Sequence, residues 1–171
     1  MKDASWKYFD LTIKFLWLFS IVFIIFQGYS TYFRLPERFA THFDKSWNPD
    51  GWSDKNSFFT FWYLSVFALN SMILFVPYLV KWVPASWINI PNREYWLSTD
   101  ELKNDCIRRV RGMLFGLYFW VNLIFIFIYE SIIQINIGGS FHFPFWILFV
   151  LSGIMLGFSL IYSNRAFKKP E

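Results

Sequence analysis

Two histidines, His42 and His142, and one carboxylate inside a long uncharged stretch, Glu130, are the side chains best suited by type to chemistry. Imidazole and carboxylate together suit zinc or another divalent metal. Asp44 and Asp50 lie near His42 and extend the same donor set. The spacing specifies no metal, because neither an HExxH nor an H-x₃-H stretch is present. No G-x-S-x-G or S-x-x-K stretch offers an activated serine. The single cysteine, Cys106, permits no internal disulfide and no CxxC site. The expectation is a protein without catalytic residue, metal or cofactor, and so not an enzyme. Glu130 lies 18 residues beyond Gly112, about 27 Å along a helix rising about 1.5 Å per residue. Gln134 stands one turn further on the same face. The pair is either a functional intramembrane site or an interfacial carboxylate matched to Arg34 or Arg38.

The elements that must hold these groups follow from composition. Of 171 residues, 23 are Phe, 9 Tyr and 10 Trp; 56% are hydrophobic and only 16% charged, against about 25% charged in an ordinary soluble domain. A chain this small cannot bury so much apolar surface in a soluble core. This argues against a soluble cytosolic enzyme and against a disordered, collagen-like or disulfide-stapled chain. The net charge of +4 does not indicate nucleic acid, since the basic residues flank apolar runs.

Charge-free windows locate the spans. Phe15 to Phe33 and Asn56 to Val80 carry no charge, and Gly112 to Asn164 carries only Glu130. The last run exceeds the roughly 20 residues that cross a bilayer, and Asn136, Gly138, Gly139, Ser140 and Pro144 break it. The expectation is an all-α integral membrane protein, a single membrane domain over 1–171. Four transmembrane helices near 15–33, 58–81, 112–135 and 144–163 form an up-and-down bundle. The first is read as a retained anchor rather than a cleaved signal, for no A-x-A-type site follows it. Twelve Lys and Arg flank one side of these spans and four the other. This puts both termini and the 82–111 loop in the cytoplasm, and loop 34–57 outside. Trp82, Trp87 and Trp96 then mark the inner interface, and Trp47, Trp52 and Trp146 the outer one.

The outer loop is read as a structured lid, with Asn48-Pro49-Asp50-Gly51 as its β-turn. Leu35-Pro36 enforces an extended step before it. On the inner side, Ser98 and Glu101 fit a capping box that opens a helix over 99–111, continuous with the third span. Arg108, Arg109 and Arg111 fall at the head groups, as topology anchors or as an anionic-lipid site. Cys106 is either an idle thiol or a palmitoylation site. Gly112 and Gly116, with Gly153 and Gly157, make two G-x-x-x-G stripes that either face each other in one chain or build a homo-oligomer. Asn70, Asn122 and Tyr118 are read as interhelical hydrogen-bonding groups, and Pro77 as a bend in the second helix.

Leu35-Pro36, Thr41-His42-Phe43, Pro49-Asp50-Gly51-Trp52 and Lys55 together resemble the signature of domain of unknown function 1648. Asn89-Ile90-Pro91-Asn92-Arg93-Glu94-Tyr95-Trp96-Leu97 is similar to the NxPNxxYWL stretch common downstream in such proteins. Asp44 and Trp47 stand where that family often has Asn and Gly. The domain also forms the N-terminal part of the SdpI-like immunity proteins, which protect bacteria from a secreted membrane-active toxin. The resemblance supplies no catalytic residue. It implies a multi-pass protein of the bacterial inner membrane. It also directs attention to His42, Phe43, Asp50, Gly51 and Trp52 as outer-loop recognition residues, and to Pro91, Asn92, Tyr95 and Trp96 in the cytoplasmic loop. The expected partners are the bilayer and a peptide or protein at the outer face, with no nucleic acid. The alternative function is a small oligomeric transporter or channel subunit using Glu130.

Overall fold

The computed structural model describes residues 4–46, 48–138 and 144–169. Helix α1 (Ala4–Tyr32) leads into a hairpin of β1 (Arg38–Phe43) and β2 (Pro49–Asp54). Helix α2 (Lys55–Phe75) follows and tightens into a 3₁₀ segment, Val76–Lys81, as Pro77 removes an amide donor. A short 3₁₀ turn and the single-turn α3 (Arg93–Trp96) precede the long α4 (Asp100–Asn136) and then α5 (Phe145–Ala166). Among the described residues, four helical segments are long and apolar enough to cross a membrane: Tyr8–Tyr32, Lys55–Lys81, Asp100–Asn136 and Trp146–Ala166.

The burial pattern of α1 is the reverse of a soluble helix. Ile13, Ser20, Ile24, Gln27 and Thr31 are buried, whereas Phe15, Leu18, Phe19, Val22 and Phe26 are exposed. The inner stripe, at three-, four- and seven-residue steps, is the more polar one. Such a helix is stable only where its outer face meets hydrocarbon, because polar groups gain most from partners inside the protein.

Helix α4 is the axle against which α1, α2, the 3₁₀ segment and α5 pack. Its 37 residues extend about 55 Å, well beyond a hydrocarbon core of roughly 30 Å. The expected inner helix and third span are therefore one rod. Its N-cap is Thr99, whose hydroxyl accepts from the Leu102 amide, rather than Ser98, whose hydroxyl donates to the Tyr95 carbonyl. Gly138 follows at φ 79°, the left-handed stop glycine permits after a helix. The two spans are separated as the break residues imply.

Two apolar clusters sit at opposite ends. Phe39, Phe58, Trp62 and Tyr129 centre the one beside the hairpin; Trp96, Cys106, Tyr162 and Phe167 centre the other. Between them lies a polar belt. Asn70 and Asn122 exchange amide bonds of 3.0 and 3.1 Å. Asn122 also donates to Ser20 Oγ at 2.9 Å, and Trp17 Nε1 to Asn70 Oδ1 at 2.8 Å. The belt ties α1, α2 and α4 together with every donor directed inward.

The hairpin turn differs from the sequence expectation. Pro49-Asp50-Gly51 is strand, and the reversal falls between Phe43 and Pro49. Asp44 organises it: its carboxylate accepts from the Ser46 and Asn48 amides at 2.8 and 2.9 Å, and its own amide donates to the Asn48 carbonyl. This side-chain closure outcompetes the Pro-Gly turn signal. Trp47, expected at the outer interface, lies outside the described residues.

Candidate functional site

The hairpin is fastened to the helix ends by both packing and polar bonds. Leu35, Phe39 and Ala40 are buried on its inner side. Asn136, in the last turn of α4, accepts from the Ala40 amide at 2.9 Å and donates to the Ala40 carbonyl at 2.7 Å. A two-point bond of this kind replaces a missing ladder partner. Lys55 is drawn under the hairpin, 2.9 Å from Glu37, with its ammonium 4.7 Å from the centre of the Tyr32 ring. Asp54 caps α2 by accepting from the Ser57 amide at 2.8 Å, and hydrogen bonds from the Ser57 side chain first and then its amide hold its carboxyl below the usual value.

The register shows why this strand pair carries an exposed head. Ala40 pairs with Trp52, His42 with Gly51 and Phe43 with Pro49. Thr41 on one strand and Asp50 on the other are thus supernumerary, and bulges of this kind re-aim side chains. His42 Nδ1 and Asp50 Oδ1 meet at 2.5 Å. Gly51 is needed here, because a Cβ would lie 2.9 Å from His42 Cβ. Trp52 is 54% exposed, whereas Phe43 is half-buried against the core beside the hairpin. The structure thus brings His42, Asp50 and Gly51 together, leaves Trp52 exposed on the same hairpin and turns Phe43 partly inward. An exposed imidazole–carboxylate pair can offer hydrogen bonds to a ligand, and an exposed indole on the same hairpin can offer apolar contact.

Glu130 is not paired with Arg34 or Arg38. Gln27 Nε2 and Gln134 Nε2 donate to its two carboxylate oxygens at 2.8 and 2.6 Å. The nearest donors to a helix-interior carboxylate come from its own helix and its main packing neighbour, α1, rather than from the loop cations. Beside it Thr31 and Tyr129 share a 2.5 Å hydroxyl bond. Gln27 Oε1 is buried without a hydrogen-bond partner among the described residues. Convergence of His42 with His142 concerns a residue outside the described part of the chain. Among the described residues no group of three His, Cys, Asp or Glu side chains is placed to hold a metal.

The loop before α4 is a clamp on the end of α5. Asn92 adopts φ 53° and ψ 36°, a conformation Asn tolerates, and its Nδ2 donates to the Phe167 carbonyl at 2.9 Å. Trp96 Nε1 donates to the same oxygen at 2.9 Å. Arg109 stacks 4.3 Å from the Trp96 ring centre and donates to the Ala166 carbonyl. These three satisfy carbonyls that a helix C-terminus leaves open. Tyr95 meets the Trp96 ring edge-on, and Pro91 is half-buried. Trp96, expected at the interface, is 1% exposed and belongs to the core. Trp82 and Trp87 are exposed. The arginines do not form one free cationic patch: Arg108 pairs with Asp105, Arg109 holds the clamp, and Arg111 lies 5.3 Å from the centre of the Tyr78 ring. Cys106 is fully buried, which leaves no access for acylation in this fold.

The glycine stripes do not face each other. A Cβ on Gly112 would meet the Tyr162 hydroxyl, and one on Gly116 the Phe158 ring. Both α4 glycines thus seat aromatic side chains of α5, whereas Gly153 and Gly157 border open space. The larger residues of α5 fill the notch, so its own glycines are displaced from the contact.

Gln27, Thr31, Asn136 and Ser20 were not among the expected site residues. Their signal is present as a polar stripe at 20, 27 and 31 within an otherwise apolar span. Asn136 was legible only as a chain break.

Residues 16–68 match the family model of a domain of unknown function (DUF1648). The match covers most of α1, the whole hairpin and the first two thirds of α2, and stops short of the clamp on α5. No curated protein and no solved structure matches the chain.

Proposed function

With residues 16–68 carrying that domain, we propose that the protein is a non-enzymatic recognition protein of the bacterial inner membrane. Both its termini lie in the cytoplasm, its bundle runs up and down, and its hairpin faces outward. The hairpin binds a peptide or protein, and the resemblance to SdpI-like proteins makes a membrane-active toxin the ligand of choice. The observation that carries this reading is mechanical. Asn136 and Phe39 lock the inner side of the hairpin while His42, Asp50 and Trp52 remain exposed. A preorganised exposed surface loses little entropy on binding. The test is survival of toxin-sensitive bacteria expressing the protein and challenged with a pore-forming or depolarising peptide. Wild type should protect, and Trp52→Ala and His42→Ala at matched membrane levels should lose most of that protection. Protection equal in all three would remove recognition from the hairpin, and no protection by wild type would remove immunity.

A second reading, an oligomeric transporter or channel subunit, draws on the unpartnered Gln27 Oε1 beside Glu130. Buried polar groups left short of partners are costly and are often kept for a path. Equal transport by vesicles bearing wild type and Glu130→Gln would end it.

A further inference from the structure

Consecutive helices α1 and α2 pack against α4 but scarcely against each other. Between them lies a cleft of about 880 Å³. Along α1 it runs from Trp17 to Phe33, about 24 Å at about 1.5 Å per residue, which is most of a hydrocarbon core of roughly 30 Å. Its rims are the exposed Ile25, Tyr29, Phe67 and Leu74.

The polar groups along its depth are already engaged. Trp17 and Asn70 bond each other at 2.8 Å, Ser71 Oγ donates to the Ala68 carbonyl at 2.8 Å, and the Tyr63 hydroxyl donates to the Ile25 carbonyl at 3.4 Å. The end nearest the hairpin differs. There Tyr32 bonds Asn56 at 2.7 Å, Tyr29 is exposed, and the exposed Arg34 directly follows the lining residue Phe33. The cleft is apolar along its length and polar at one mouth, where the Lys55 ammonium lies 4.7 Å from the centre of the lining Tyr32 ring.

A space of this size inside a bilayer must be filled, since unfilled walls forfeit their dispersion contacts. A flexible acyl chain follows an apolar cleft of this length, and the charged head group joined to it suits a polar end. We propose that the cleft binds an acyl chain of a membrane phospholipid, with the head group at the hairpin end and its phosphate near Arg34. The site requires membrane embedding and is independent of what the hairpin recognises.

The full-length protein is placed in vesicles of phosphatidylethanolamine and phosphatidylglycerol containing a phospholipid with a photoactivatable diazirine in its acyl chain. Adducts are mapped by mass spectrometry. Ile21, Ile25, Phe67 and Ser71 should be labelled several-fold more than Val22, Phe149 and Leu160, exposed or outward residues outside the cleft. Ser71→Trp, and independently Ile21→Trp, should abolish cleft labelling and leave Phe149 and Leu160 unchanged, the latter also reporting an intact fold. Even labelling of all apolar faces would overturn the proposal. So would efficient disulfide dimerisation of Ser71→Cys, which would give the cleft to a second copy.

Discussion

Asn136 is one side chain at a helix end that fixes a whole loop. Its amide satisfies both backbone groups of Ala40, a residue with only 4% exposure. Asn136→Leu leaves those groups unpaired and should destabilise the hairpin by about 1–3 kcal/mol. Amide exchange at Ala40 should quicken while exchange in the α4 interior stays unchanged; equal exchange would deny the clamp. Asp44 acts at the opposite tip and carries a pH signature. Hydrogen bonds from the Asn48 side chain first, then from the Asn48 and Ser46 amides, hold its carboxyl below the ordinary 3.8. A carboxyl depressed on folding adds stability above its unfolded value and loses it as pH falls through the lower folded value. The turn should therefore loosen only below about pH 3.8, as read by the Asn48 amide resonances. Asp44→Ala should be looser at neutral pH and insensitive to that acid range.

Helix pairing is decided by which residue fills which notch. On α4, Gly116 admits the Phe158 ring, and an added Cβ would lie 2.1 Å from it. Gly116→Ala should therefore push α5 outward and destabilise the protein by about 1–3 kcal/mol. Gly157→Ala, bordering open space, should change stability by no more than about 0.5 kcal/mol. Unfolding in graded sodium dodecyl sulfate distinguishes the two, and equal effects would contradict this packing. At its C-terminal end, α5 needs the loop as much as the loop needs α5. Asn92 and Trp96 both donate to the Phe167 carbonyl and Arg109 of α4 to that of Ala166, so the NxPNxxYWL stretch acts here, with α4, as a helix stop supplied from elsewhere in the chain.

For the whole molecule, the distribution of twelve against four basic flanks predicts sidedness. A membrane-impermeant thiol reagent should label Trp52→Cys on intact cells and Trp87→Cys only after the membrane is opened, with the buried Cys106 silent in both. The reverse pattern would invert the topology. Four apolar helices, the break near Gly138 and the continuity of the inner helix with the third span were all legible in the sequence. They rest on local quantities: run length, charge and turn chemistry. The 1648-type domain was legible too, because its residues are close in sequence. The sequence misplaced what depends on competition between alternatives. Pro49-Asp50-Gly51 signalled a turn, but Asp44 closed one first. Glu130 had cations nearby in the loop, yet Gln27 was nearer across α1. Two glycine stripes shared a period, yet Tyr162 and Phe158 took the notches. Composition and periodicity place each helix in the membrane; only packing decides which side chains meet, because partner choice depends on distances between segments remote in the chain.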